Sequence, residues 1–536
     1  MKLFRPGAAC VVLLVLARSV GAQAHTHPAP AAGETLGTVH FPTSCQPGVA
    51  QQFDRAVALL HSFEFGASVR AFGEVASADP TCAMAHWGIA LSRWSNPMTL
   101  GAKPAAQLEF GRTASQTGTR IAASATERER QYLAAVGELY RDYERVDQRT
   151  RVLAYERAMA DLAMKQPADT EAKVFHAIAL TATAAPTDKS YAKQLEAGAI
   201  LERLWVAQPN HPGLAHYIIH TYDVPALASR AAAAAQRYAK IAPSAAHALH
   251  MPSHTFTRVG EWEASIETNR RSKEAALKSG ATAEALHAAD YAVYAHLQLA
   301  QDAAAKVLLD TLPALAARFD PAAVTGAAPG SAGVFALAAI PARYALERRD
   351  WKAAAALPLR PSAYPWTDAM VHFARALGAA RLGDAPRAGV EIDSLAALHA
   401  RLVTMKESYW AEQVAIQQLG ARAWRELAER RPDSAVALMR DAARREDATE
   451  KSAVSPGPLV PARELLGDML LELKRPREAL AEYRTTLERE PNRFRAVHGA
   501  MRAATAAGDA STAKRYASSF SQLTAKGDPK GRGEQR

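Results

Sequence analysis

Six of the seventeen histidines in this chain fall between Pro209 and Trp262: His211, His216, His220, His247, His250 and His254. Their spacing carries chemical meaning. His216 and His220 are four apart, as are His250 and His254, so each pair shares one face of a helix. The two pairs are separated by thirty-four residues, and Pro209 and Pro243 keep the same interval. Two helices in one register would therefore turn four imidazoles toward a common space. Asp223 lies three residues after His220, and His247 three before His250, which extends each stripe. Imidazole and carboxylate together suit Zn, Cu, Ni or Fe. The same stripes could instead form a polar network or a ligand groove. Thr257 and Arg258, one turn beyond His254, would suit a carboxylate-bearing ligand. His211 belongs with these groove residues, and His287, Asp290 and Tyr291 offer a third wall. Pro252 is expected to bend its helix or restart it at Ser253.

The elements that must hold these groups are helices. Alanine is abundant, aromatics make up 7% of the chain, and strand-like alternation is nearly absent. At 536 residues, one core is possible only if it is extended by stacking. The net charge is +10, interleaved in sign along the helices, which describes solvated faces and not a nucleic-acid footprint. Lys2 and Arg5 precede the apolar run 8–17, and Ala22-Gln23-Ala24 fits a small-x-small cleavage site. Residues 1–24 therefore read as a signal peptide, too short for a membrane span. Its removal leaves +7, no transmembrane segment, and a periplasmic or extracellular location. Cleavage there exposes His25-Thr26-His27, a possible amino-terminal Cu(II) or Ni(II) chelate. The mature chain keeps Cys45 and Cys82, and two cysteines in an exported protein favour a disulfide.

Residues 25–47 are rich in Pro, Ala, Gly and Thr and are expected to form a flexible linker. Repeat-like segments follow. Residues 48–80 place Leu59 and Leu60 on one helix, Ala71 and Phe72 on the next, and Asp79-Pro80 at the exit. Residues 462–491 carry Leu466-Gly467, Ala479, Tyr483 and Pro491, and Ala513 stands thirty-four past Ala479. These residues resemble the tetratricopeptide repeat (TPR) consensus. The strings DPTCAMAHWGIALS and HALHMPSHTFTRVGEW resemble those of exported bacterial TPR proteins of uncharacterised function. The resemblance implies an all-α, right-handed superhelix of helix–turn–helix units, about ten to twelve helix pairs. It also implies that the first helix of each pair lines a concave groove, with the histidines in it. The expected layout is an N-terminal array over 48–318, a loop at 319–333, a C-terminal array over 334–525 and a disordered tail at 526–536. A further break is expected at 452–461.

The function expected from this reading is an exported scaffold. Its groove would take a protein or peptide partner, not nucleic acid, and would carry a His-lined transition-metal site. The alternative is a metal-dependent hydrolase or oxidoreductase, or a metal carrier, using the same histidines. No G-x-S-x-G, H-E-x-x-H or phosphate-loop motif points to a particular reaction.

Overall fold

The computed structural model describes residues 33–98, 103–360 and 362–528. The expected signal peptide, His25, His27 and nearly all of the expected tail lie outside those residues. Among the described residues there is no β-strand, and α-helices follow one another from Ala50–His61 to Ala510–Leu523. Each helix packs chiefly on its neighbours in sequence, as in a helical repeat array. No helix among the described residues is long and apolar enough to cross a membrane.

The segment expected to be a flexible linker is, from Thr35 on, part of the packed structure. Leu36, Val39 and Phe41 are buried. The Phe41 ring lies 5.2 Å from both Trp87 and Tyr132. Thr35 N donates to Ser244 Oγ, and Thr38 N to the carbonyl of Asn210. Composition suggested mobility, but three apolar side chains outweigh it by removing their surface from water. Cys45 and Cys82 are joined in a disulfide, 37 residues apart in sequence. Replacing both by serine should destabilise the fold by about 4 kcal/mol, the loop-entropy value for such a ring. Chemical denaturation of the two proteins reads this directly.

The array does not end as an open strip. The helix Thr282–Gln298 is buried on nearly every side, which only a helix enclosed by others can be. The next helix, Asp302–Ala316, leads into the expected loop, and Gly330–Glu347 returns to pack on 282–298. Helix 330–347 begins inside the stretch expected to be loop, so the loop itself is shorter, 317–329. Later the chain comes back to the same place. Trp262 Nε1 donates to the carbonyl of Asn492 at 2.8 Å, and Phe494 N to Gln298 Oε1 at 2.9 Å. Gly260 caps its helix at φ +74°, and a Cβ there would lie 2.3 Å from the Pro491 carbonyl oxygen. Only glycine meets both conditions.

Arg493 clamps this closure. It is fully buried and bonds Glu464 at 2.7 Å, the Tyr294 hydroxyl at 2.8 Å, and Glu347. Removing one partner of a buried ion group leaves the others uncompensated. Arg493→Met is expected to cost about 3–5 kcal/mol on that ground, measured as a lower denaturation midpoint. The end of the described chain is tied as well. Asp528 N donates to the Ala300 carbonyl, and Asp528 Oδ2 accepts from Ala303 N. Residues 526–528 are therefore held, where a loose tail was expected.

Candidate metal centre

The helix Pro212–Thr221 opens with proline at its first position and is capped by His211, whose Nδ1 accepts from Leu214 N. It presents His216 and His220. The second pair is divided. His250 ends the helix Ala246–His250, and His254 lies on Pro252–Val259. The restart comes at Pro252, one residue before the expected Ser253, because proline's missing N–H is tolerated in a first turn. His287 comes from the enclosed helix 282–298.

These residues gather into two triads. His216, His220 and His247 form one, His250, His254 and His287 the other, with the ligating atoms of each set all within 4.8 Å of one another. The triads touch: the ring centroids of His220 and His254 are 5.9 Å apart, as are those of His247 and His250. All six imidazoles are buried, the most exposed at 7%. They do not line an open groove, because the C-terminal half of the chain covers them.

Hydrogen bonds fix which nitrogen faces inward in five of the six rings. His216 Nδ1 donates to the His61 carbonyl at 2.6 Å, and His247 Nδ1 to Glu284 Oε1 at 3.0 Å. His250 Nδ1 donates to Asn269 Oδ1 at 2.7 Å; the amide's orientation is set by its own NH2, which donates to the Ser265 carbonyl. His254 Nδ1 donates to Asp223 Oδ2 at 2.8 Å. A backbone hydrogen bond at Val454 holds His287. Each ring so held turns its other nitrogen, a bare lone pair, toward the shared interior. Four inward nitrogens, Nε2 of His216, His220 and His247 and Nδ1 of His287, have no hydrogen-bond partner. The remaining two, Nε2 of His250 and of His254, face each other at 3.1 Å. Two lone pairs at that distance repel unless a cation lies between them. With metal–nitrogen bonds near 2 Å, a 3.1 Å separation subtends roughly 100° at an ion. An imidazole whose outer N–H is held by a carbonyl or carboxylate is the usual form of a metal ligand.

Burial, reinforced by neighbouring imidazoles, pushes the pKa of His216, His220, His250 and His287 well below the usual histidine value. Burial takes His254 down to about 4 even though Asp223 opposes it. These five rings are thus kept neutral, the form in which an imidazole can coordinate. Burial would raise Glu284, but His247 holds it down to about 2. Asp223 lies well below its usual value against the same burial, held there by Lys451, Arg258 and His254.

The surroundings are otherwise aromatic. Phe63 packs on His216 with centroids 4.4 Å apart and stacks on His247 at 5.8 Å. Its backbone is left-handed, φ +56°, a strained state for a bulky residue. Tyr291 lies 4.9 Å from both His250 and His254. The far wall is the segment 449–459, which includes most of the expected second break. Its Lys451 Nζ donates to Asp223 Oδ2 at 2.8 Å and lies 3.3 Å from the Tyr291 hydroxyl. The Tyr291 hydroxyl donates to the Ser455 carbonyl.

Several expected site residues take other positions. Asp223 holds His254 and pairs with Arg258 and Lys451, so its oxygens are spent outside the cluster. Arg258 is therefore also engaged. Thr257 bonds Ser265. Asp290 pairs with the buried Arg343. His211 shares Glu171 with His61, at 2.9 and 2.8 Å. In that third cluster both ring nitrogens of each histidine are satisfied, so it is a structural brace beneath His216. Cys45 and Cys82 are spent on their disulfide. Sequence reasoning missed Lys451, Asn269 and Glu284. Lys451 is 228 residues from Asp223, and nothing local announces that pairing. His287 carries the one available signal: it stands thirty-three residues past His254, one short of the repeat.

No protein-family profile matches the chain, and no curated protein does. Solved structures do. The human IFIT1 dimer with m7Gppp-AAAA is 11% identical over 83% of this chain and 90% of that one, at a TM-score of 0.41. The APC/C hetero-tetramer Cut9–Hcn1 is 10% identical over 89% and 87%, at 0.34.

Proposed function

We propose that this protein holds two transition-metal ions in the six-histidine centre, one per triad. The observation that carries the reading is the set of six buried inward nitrogens, four without any partner and two facing each other. Leaving such groups unpaired in a dry interior is costly. A metal ion satisfies three of them at once. Zn, Cu, Ni and Fe all accept imidazole. We further propose an exported protein, periplasmic or extracellular; the Cys45–Cys82 disulfide supports an oxidising compartment. The peptide-binding groove first expected at the histidines is set aside, since a partner could not reach side chains buried this deeply.

The test is elemental analysis of protein purified without chelator, followed by stripping and reloading. Two ions per chain, regained on reloading with a rise in melting temperature, is the expected result. Absence of any stoichiometric metal after reloading would reject the reading.

A second reading, metal-dependent chemistry on a small molecule, has one observation in its favour. A cavity of about 100 Å3 lies beside the centre, walled by Trp366, Trp410, Tyr409 and Phe335. Arg258 and Lys451, both bonded to Asp223, line its near end. Tryptophan fluorescence that responds to a small aromatic ligand in loaded but not stripped protein would favour it.

A further inference from the structure

The charge around the histidines narrows the choice of metal. We infer that the centre is built for monovalent copper, Cu(I), in preference to zinc or other divalent ions. This rests on the metal-binding reading above and deepens it.

The candidate ligands themselves are six imidazoles, with no carboxylate or thiolate among them. The charged groups that touch them lie one layer out. Asp223 bonds His254, and Glu284 bonds His247. Glu64 Oε1 is 3.4 Å from the backbone nitrogen of His247. Against these stand Arg258 and Lys451, each 2.8 Å from an Asp223 oxygen. Asp290 is neutralised by Arg343. The two carboxylates on the rings and the two cations on Asp223 therefore cancel, and Glu64 adds one further carboxylate. Two divalent ions would leave three or four positive charges in a site walled by Phe63, Tyr238 and Tyr291. Two cuprous ions leave one or two. A low-dielectric, apolar shell penalises charge steeply, and such a shell is one of the levers by which a protein sets the oxidation state of a metal. Cu(I) also accepts three-coordinate imidazole without further ligands, while a three-histidine zinc site keeps a fourth position for water. The hydrogen-bond pattern agrees. Asn269, a neutral amide, stands where a carboxylate could have held His250.

The experiment titrates the metal-stripped full chain, disulfide intact, under anaerobic conditions. Cu(I) is supplied as its acetonitrile complex, and Zn(II) is added separately and in competition. The expected result is two Cu(I) per chain, silent in electron paramagnetic resonance and retained against about a tenfold excess of Zn(II). Asn269→Asp adds one negative charge beside His250 and should shift the Cu(I)-to-Zn(II) preference about tenfold toward zinc. Two Zn(II) per chain displacing copper, or an unchanged preference in Asn269→Asp, would overturn the inference while leaving the metal centre standing. If neither ion binds the wild-type chain, both readings fall together.

Discussion

His220→Ala combined with His254→Ala should abolish stoichiometric binding at both triads. Each substitution removes one ligand of three, and the two residues belong to different sets. Loss of an outer partner alone typically costs 10–100-fold in affinity, and loss of a direct ligand costs at least about the upper end of that range. The thermal consequence follows by mass action. An ion at about a hundred times its dissociation constant adds about 2.7 kcal/mol per site, so the wild type should gain about 5 kcal/mol on loading and the variant nearly nothing. Two controls keep the result interpretable. Asp223→Asn keeps all six histidines but weakens the hold on His254 and leaves the buried Arg258 and Lys451 without their carboxylate, so it should lose affinity at one triad and lower stability as well. Glu171→Gln disturbs the brace at His61 and His211 and should lower stability with both ions still bound. Equal metal content and equal stabilisation in wild type and double variant would show that the histidines are ordinary interior residues.

The metal-free protein should be unusually sensitive to mild acid. His216, His220, His250, His254 and His287 all have folded values below the ordinary 6.5. Between the folded and unfolded values the unfolded chain binds more protons, so stability rises with pH there. The contribution is fully present above about 6.5 and is lost as pH falls toward the folded value. For His254, which falls to about 4, the loss is on the order of 3 kcal/mol. The other four act in the same direction. Glu64 and Glu446 act in the opposite one: burial raises them to about 7 and about 8. Burial raises Asp290, Asp368 and Glu464 too, but it also lowers His61, His86, His176, His296 and His498; ten histidines oppose five carboxyls, so the net slope between pH 6.5 and 4 is a loss. In the loaded protein the lone pairs are occupied, and a proton must displace an ion first. Urea midpoints of stripped and loaded protein, measured across that range, should diverge as pH falls. Parallel curves would contradict the burial of neutral histidines. The low folded values also move the expected release of metal below the pH of about 6 that an unperturbed imidazole would give.

Much of this architecture can be read in the sequence. A thirty-four-residue period at His216/His250 and at Ala479/Ala513 reports helical repeats, because each repeat buries the same face. Helical spacing likewise aligns His216 with His220. What the period cannot report is closure. Repeats from the middle and the end of the chain meet through residues such as Gly260, Trp262 and Asn492 that have no reason to resemble each other. The site shows the same division. Histidines that share a helix face are legible, and so is His247 by its offset from His250. Their hydrogen-bond partners come from Asn269, Glu284 and His61, chosen by distance in space alone. Asp223 falls under the same limit. Its offset places it on the stripe, but Arg258 and Lys451 pull its carboxylate outward. Residues 35–41 show the limit of composition, where three apolar side chains in a Pro- and Gly-containing stretch were enough to anchor it.

The segment 449–459 that walls the centre has a consequence for the order of events during synthesis. All six histidines lie between positions 216 and 287, so the ligand set exists long before the covering segment has been made. On the proposed reading, an ion would thus enter while the centre is still open on one side. It is then shut when Lys451 reaches Asp223 and the last repeats dock on helix 282–298. On the proposed reading, an ion enclosed there would leave only when that docking comes undone, so its residence time would follow the lifetime of the closed chain more than the strength of its own bonds.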